Sequence, residues 1–129
     1  VTRKPSILVA DDSSDTREVL AMYLVRQGFD VIEAPDGAEA IHVAQSLHPD
    51  FILMDLSMPL TSGWDATHQL KADPQTKDIV IIAITGHAYP ADQASAQAAG
   101  CDGVLVKPFD LSDLDHMLSR YTRPAQRSA

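Results

Sequence analysis

The sequence predicts an α/β domain: a five-stranded parallel sheet with crossover helices on both faces. Three observations carry this. Apolar runs rich in β-branched residues recur five times, at Ile7 to Ala10, Val31 to Ala34, Phe51 to Met54, Ile79 to Ile84 and Val104 to Val106. The segments between them show helical periodicity and helix-start signals, the alternation expected of βα repeats. The strand runs are also nearly continuous in their apolar character, which suits strands covered on both faces.

The first strand runs into Asp11-Asp12, and a first helix is expected from Ser14 or Asp15 to before Gly28. Glu18 stands three residues after Asp15 in capping-box spacing, and Val19, Leu20, Tyr23 and Leu24 form the expected buried stripe. Asp36 and Glu39 repeat that spacing for a second helix, whose Ala40, Ile41, Ala44 and Leu47 share one face. A third helix, between Ser62 and Ala72, has a thinner stripe of Trp64 and Leu70. A fourth follows Tyr89-Pro90 with a face made mostly of Ala91, Ala94 and Ala98. Alanine removes little area from water, at about 25 cal/mol per Å², so this helix is expected to be the most weakly anchored and the most mobile. Asp102-Gly103 reads as a turn into the fifth strand. The last helix spans about Leu111 to Tyr121 and is expected to bury Leu111, Leu114, Met117 or Leu118, and Tyr121.

The 129 residues fit one compact domain, with a core at about 5–121 and 122–129 as a tail or the start of a linker. Apolar residues at 45% and charged ones at 22% are a globular balance. The run Ile79 to Ile84 is too short to cross a bilayer, and no secretory pattern opens the chain, so a soluble, cytoplasmic unit is expected. Cys101 is the only cysteine, which excludes an internal disulfide. The net charge is −8, yet Arg3, Lys4, Arg120, Arg123 and Arg127 cluster at the ends, leaving the body more acidic still. Such a body repels nucleic acid, and no direct nucleic-acid contact is expected.

Three strand runs end in chargeable groups: Asp11-Asp12 after the first, Asp55 after the third, Lys107-Pro108 after the fifth. In an open parallel sheet, chemistry gathers outside the carboxyl ends of the strands, so these groups can converge on one cleft. A buried unpaired carboxylate is expensive. Mg²⁺ takes oxygen ligands, keeps several waters and uses one or two carboxylates with phosphate oxygens, which would let three acids tolerate one another. A carboxylate so placed can act as a nucleophile toward phosphorus, with the ammonium stabilising charge. Thr85-Gly86 at the end of the fourth strand supplies a hydroxyl beside a backbone that a phosphate can approach closely.

Together, Asp11-Asp12, the run Met54-Asp55-Leu56-Ser57-Met58-Pro59, Thr85-Gly86 and Lys107-Pro108-Phe109 resemble the response-regulator receiver domains of two-component signalling over about residues 5–121. The resemblance implies a flavodoxin-like fold with strand order 2-1-3-4-5 and five helices, an order for which a chemotaxis receiver is itself a standing example. It implies that Asp55 accepts a phosphoryl group from a phosphohistidine on a histidine kinase or histidine phosphotransfer protein. Asp12, Asp55 and the backbone carbonyl of Ser57 would hold Mg²⁺, or Mn²⁺ in its place, with Asp11 contributing directly or through water. Lys107 would pair with Asp55 and then with the phosphoryl group, joined by the Thr85 hydroxyl and the backbone N–H groups of Leu56 and Gly86. It implies too a cis peptide before Pro108. Readout would fall on the surface of the fourth helix, fifth strand and fifth helix, toward an output domain or a downstream protein.

One position departs from the pattern. Val104 stands where many family members carry an aromatic three residues before the lysine, and a valine, stiff at its first torsion, has no ring to swing. Tyr89 reads as an exposed loop residue on the same surface, and the resemblance implies that Ser57 and His87, two residues beyond Asp55 and Thr85, would border the phosphoryl site. His42, His48, His68 and His116 lack paired ligand spacing and read as surface residues, with no zinc expected. Trp64 and Cys101 read as packing residues. Two other classes remain. An aspartate-nucleophile phosphatase would share Asp55 and Mg²⁺, but Asp55-Leu56-Ser57 lacks that group's second acid and no insertion is long enough for a substrate cap. A binding-only adaptor would carry a vestigial site. No Gly-x-x-x-x-Gly-Lys loop supports nucleotide hydrolysis. The expected product is therefore a signalling module, not a turnover enzyme, either free-standing or part of a longer sensor kinase or regulator.

Overall fold

A computed structural model describes residues 4–56, 63–86 and 99–121. Strands β1 (Ser6–Ala10), β2 (Asp30–Ala34), β3 (Phe51–Asp55), β4 (Val80–Thr85) and β5 (Gly103–Val106) form one parallel sheet in the order β2-β1-β3-β4-β5. Helices α1 (Ser14–Arg26), α2 (Gly37–Leu47), α3 (Gly63–Ala72) and a C-terminal helix (Leu111–Tyr121) cover it. The expected fourth helix, with Ala91, Ala94 and Ala98, lies outside the described residues, as do Tyr89, His87, Ser57 and the Arg-bearing end of the tail.

The period-two alternation of the strands divides the core between the two faces. Leu8, Ala10, Ile52, Met54, Ile81 and Ala83 pack with Ala40, Val43 and Ala44 of α2 and Ala66 and Leu70 of α3. Ile7, Val9, Leu53, Ile82, Ile84 and Leu105 pack with Leu20 and Leu24 of α1 and Leu114 and Leu118 of the C-terminal helix. Phe29 and Phe51 meet edge to face there, with centroids 5.9 Å apart.

Capping settles the helix starts. Ser13, not the Asp15 of the expected capping box, caps α1, its side chain accepting from Thr16 N–H, while Asp15 sits in the first turn. Asp36 caps α2 as its spacing predicts, accepting from Glu39 N–H at 2.8 Å. Helix α1 ends at Arg26, and the chain turns through Gly28 at φ +99°, a conformation glycine adopts without strain.

Three expected core residues are exposed instead. Val19 is 60% exposed: the inward line of α1 is set by Leu20 and Leu24, and Val19 points about 100° away from Leu20. Leu47 is also 60% exposed, because α2 ends there and the chain swings away through His48 at φ +46°, so Val43 takes the buried place. Leu111, at the first turn of the C-terminal helix, is 38% exposed; Leu114 and Leu118 are buried, with Met117 and Tyr121 partly so. His42, His48, His68 and His116 are all exposed, and Trp64 packs partly against the core.

Asp102 does more than turn the chain. Its Oδ2 accepts from Ile81 N–H and from Lys71 Nζ, both at 2.8 Å, and Lys71 Nζ also donates to the carbonyls of Lys77 and Ile79. One ammonium thus ties α3, the approach to β4 and the approach to β5.

Candidate functional site

Sheet register is what collects the charged groups. Ala10 pairs with Met54, so Asp11, one residue on, stands beside Asp55; Asp55 pairs with Ile84, and Ile84 with Leu105. Asp11, Asp55 and Lys107 are each an even number of residues beyond Val9, Leu53 and Leu105, so all three emerge on the face covered by α1 and the C-terminal helix. Thr85 has the opposite parity and is buried at the end of β4. Backbone bonds continue the ladder past the strand ends: Asp11 N–H to Ala34 carbonyl at 3.1 Å, Leu56 N–H to Ile84 carbonyl at 3.0 Å, and Lys107 N–H to Thr85 carbonyl at 2.7 Å. The Lys107–Pro108 peptide is cis, as the resemblance implied.

Ligand oxygens of Asp11, Asp12 and Asp55 all lie within 4.8 Å of one another, with Asp11 and Asp55 buried and Asp12 exposed. Lys107 Nζ lies 3.7 Å from Asp55 Oδ2 and 4.0 Å from Asp11 Oδ2. The second separation is a charge attraction without a hydrogen bond, and Asp11 Oδ2 is a buried oxygen with no hydrogen-bond partner. Asp11 Oδ1, by contrast, accepts from Ser13 N–H at 2.8 Å. Burial pushes the Asp11 carboxyl above the usual carboxylate range; the Ser13 N–H opposes this, Asp55 adds to it, Lys107 opposes it and Asp12 adds to it. An oxygen left in this state costs about 1–3 kcal/mol or more. A hard divalent cation satisfies it and offsets the mutual repulsion of the acids, so the donor set fits Mg²⁺.

Two supporting features escaped the sequence reading. Gly63 opens α3 hard against β3: a Cβ there would lie 2.2 Å from the Asp55 carbonyl oxygen and 2.7 Å from Leu56 Cα. The signal was a glycine eight residues after a strand-ending aspartate, whose purpose shows only when the helix is seen resting on that peptide. Arg17, on α1, donates from Nη1 to the Asp11 carbonyl at 2.7 Å and from Nε to Glu33 Oε1 at 3.1 Å. No local pattern links an arginine in one helix to a glutamate on the neighbouring strand.

Along the edge strand, β5 and the C-terminal helix line a groove of about 320 Å³ whose walls include Val104, Val106, Pro108, Phe109, Met117 and Arg120. Val104 is half-buried and packs against the α2–α3 side of the core.

Fold, acid cluster and motif order meet in one assignment: the chain belongs to the response regulator receiver domain family, which matches residues 7–119. It is a receiver domain of the kind used in two-component signal transduction. Among solved structures it is similar to the chemotaxis response regulator CheY4 of Vibrio cholerae, with 31% identity, TM-score 0.87, and 93% of this chain and 100% of that one covered. It is also similar to the receiver domain of the sensor histidine kinase PA1611 of Pseudomonas aeruginosa PAO1, determined with a magnesium ion coordinated in its active-site cleft; there the identity is 30%, the TM-score 0.85 and the coverage 92% and 98%. Among curated proteins it is 32% identical over 110 residues to the DNA-binding dual master transcriptional regulator RpaA of Synechocystis sp., covering 85% of this chain and 46% of that protein. The chain spans about half the length, or less, of the first curated relatives it matches. No helix among the described residues is long and apolar enough to cross a membrane.

Proposed function

We propose that this receiver domain is a phosphoacceptor switch in which Asp55 takes a phosphoryl group from a phosphohistidine on a histidine kinase or histidine phosphotransfer protein. The observation that carries the reading is the convergence of Asp11, Asp12, Asp55 and Lys107 from three separate strand ends, with one buried oxygen left for a cation. Asp12 and Asp55, with the Ser57 carbonyl, would hold Mg²⁺, and Asp11 would contribute directly or through water. When bound, Mg²⁺ or Mn²⁺ supplies charge neutralisation at the phosphoryl oxygens.

The chain's own residues do the rest. An Asp55 carboxylate oxygen attacks phosphorus, an O–P bond forms, the N–P bond of the donor breaks, and the imidazole leaves with its electron pair. Lys107, already 3.7 Å from Asp55, is placed to follow the charge from the carboxylate onto the phosphoryl oxygens. Thr85, buried at the end of β4, offers its hydroxyl, and Leu56 and Gly86 their backbone N–H groups. The product is an acyl phosphate on the protein, so the domain catalyses only its own phosphorylation and dephosphorylation. Drawing Thr85 toward the phosphoryl group would shift the chain beyond β4 and alter the surface of the expected fourth helix, β5 and the C-terminal helix, beside the groove lined by Val104 and Met117. With Val104 lacking a ring, that shift would pass through the backbone and not through an aromatic rotamer. An output domain or a downstream protein would read that surface.

The test is intact mass after incubation with Mg²⁺ and acetyl phosphate, with and without Asp55→Asn. The proposal requires a gain of one phosphoryl group that depends on both Asp55 and Mg²⁺. Continuous hydrolysis without a lasting gain would indicate a phosphatase, and no reaction at all an adaptor.

A further inference from the structure

We infer that Arg17, held by Glu33, is a positioning residue for the divalent-cation site: it sets the plane of the peptide joining Asp11 and Asp12 and thereby the approach of both carboxylates to a cation. The inference rests on the phosphoacceptor reading for the presence of that cation.

Asp11 is where the chain leaves the sheet. Its N–H still makes a ladder bond, to Ala34 carbonyl at 3.1 Å, but its carbonyl lies past the last residue of β1 and takes its donor from outside the sheet. Arg17 Nη1 fills the place at 2.7 Å. That carbonyl belongs to the Asp11–Asp12 peptide, and a peptide is planar. Fixing its oxygen fixes the direction in which the Asp12 Cα departs. With the side-chain oxygens a few bonds further out, a tilt of about 20° displaces the Asp12 carboxylate by about 1 Å, from standard bond lengths. Carboxylate–metal distances tolerate far less than that.

The arginine is itself fixed. Its Nε donates to Glu33 Oε1 at 3.1 Å, its backbone N–H donates to Ser13 carbonyl at 2.9 Å, and its side chain is only 17% exposed. Two different nitrogens of one rigid plane serve two acceptors on two elements, which a lysine cannot reproduce. Asp11 is then held at its N–H by β2, at its carbonyl by α1 and at Oδ1 by Ser13, leaving Oδ2 as its one orphan oxygen. Glu33 has a second part: its charge offsets a guanidinium that would otherwise repel a cation at the neighbouring acids.

Charge and positioning predict opposite signs, which makes the inference testable. Arg17→Met removes a positive charge, and by Coulomb attraction alone it would tighten Mg²⁺ binding. The Arg17→Met/Glu33→Gln pair removes both charges and leaves the balance unchanged, so it isolates positioning. Titration calorimetry of the full chain with Mg²⁺ is expected to show about tenfold weaker binding for the pair, the usual scale for lost outer-shell support of a metal ligand. Arg17→Lys should fall between. Acetyl phosphate labelling across Mg²⁺ concentrations should show the half-saturating Mg²⁺ raised by the same factor, with the rate at saturating Mg²⁺ within about twofold of wild type. Unchanged or tighter binding in the pair, or a lower saturating rate without an affinity change, would overturn the inference. Wild-type protein that binds no Mg²⁺ would instead overturn the phosphoacceptor reading and this inference with it. Should circular dichroism show the pair unfolded, Arg17→Lys, which keeps the positive charge but at most one of the two bonds at its ideal geometry, carries the same comparison.

Discussion

Replacing Gly63 with alanine should damage both stability and phosphorylation, and the size of each effect follows from one contact. The added Cβ would stand 2.2 Å from the Asp55 carbonyl oxygen, 2.8 Å from its carbonyl carbon and 2.7 Å from Leu56 Cα. All three are backbone atoms, so no side-chain rotation relieves the overlap. Restoring an ordinary contact of about 3.5 Å means moving α3 or the Asp55 peptide by roughly 1 Å. Alanine for glycine within a helix gains about 1 kcal/mol from backbone entropy, whereas overpacking of this kind costs about 3 kcal/mol. The steric term wins by about 2 kcal/mol, a drop in Tm of roughly 7 °C for a domain of this size. If the Asp55 peptide takes the displacement, a misplacement of about 1 Å at a reacting group costs on the order of a hundredfold in rate. Thermal unfolding and acetyl phosphate labelling at saturating Mg²⁺ check the two effects. A Gly63→Ala protein that melts at or above wild type and labels at the same rate would refute the close approach of α3 to the end of β3.

Two titratable groups give further expectations. The folded chain holds the Asp11 proton more tightly than the unfolded chain does, so the ionised carboxyl subtracts from stability near neutral pH, and the penalty fades as pH falls through the folded value. Asp11→Asn should therefore stabilise the metal-free protein at neutral pH, with a gain that shrinks in acid; urea unfolding at about pH 7 and about pH 4 reads this, and a pH-independent gain or a loss at pH 7 would contradict it. Cys101 is buried, its thiol pushed up to about 11 from an ordinary 9.0 chiefly by burial, against a lowering contribution from its contact with the Thr67 hydroxyl. The native thiol should resist alkylation at mildly alkaline pH. Between pH 9 and 11 the unfolded thiol ionises while the folded one does not, so wild type should lose roughly 2–3 kcal/mol relative to Cys101→Ala, an expectation that equal pH slopes for the two proteins would defeat.

Local chemistry made the elements legible. Five β-branched runs gave the five strands to within a residue or so at each end, because strands buried on both faces can contain little else. The caps were partly legible: the Asp36–Glu39 spacing describes α2, while at α1 Ser13 displaced Asp15, two residues on, as the cap. Helical faces were less so. Val19 and Leu47 are as apolar as their buried neighbours, and only the seating of each helix on the sheet decides which of two adjacent hydrophobes turns inward.

By itself the sequence determined which chemical groups stand at the strand ends, since an apolar run of fixed period must stop where Asp11, Asp55 and Lys107 begin. Only the tertiary structure decided that they meet. Parallel pairing sets Asp11 beside Asp55 and gives Lys107 the same parity, and register is a long-range property that no window of sequence contains. The supports were likewise invisible beforehand. Gly63 matters because a helix rests on the Asp55 peptide, and Arg17 because a carbonyl past the last residue of β1 takes a donor from another element.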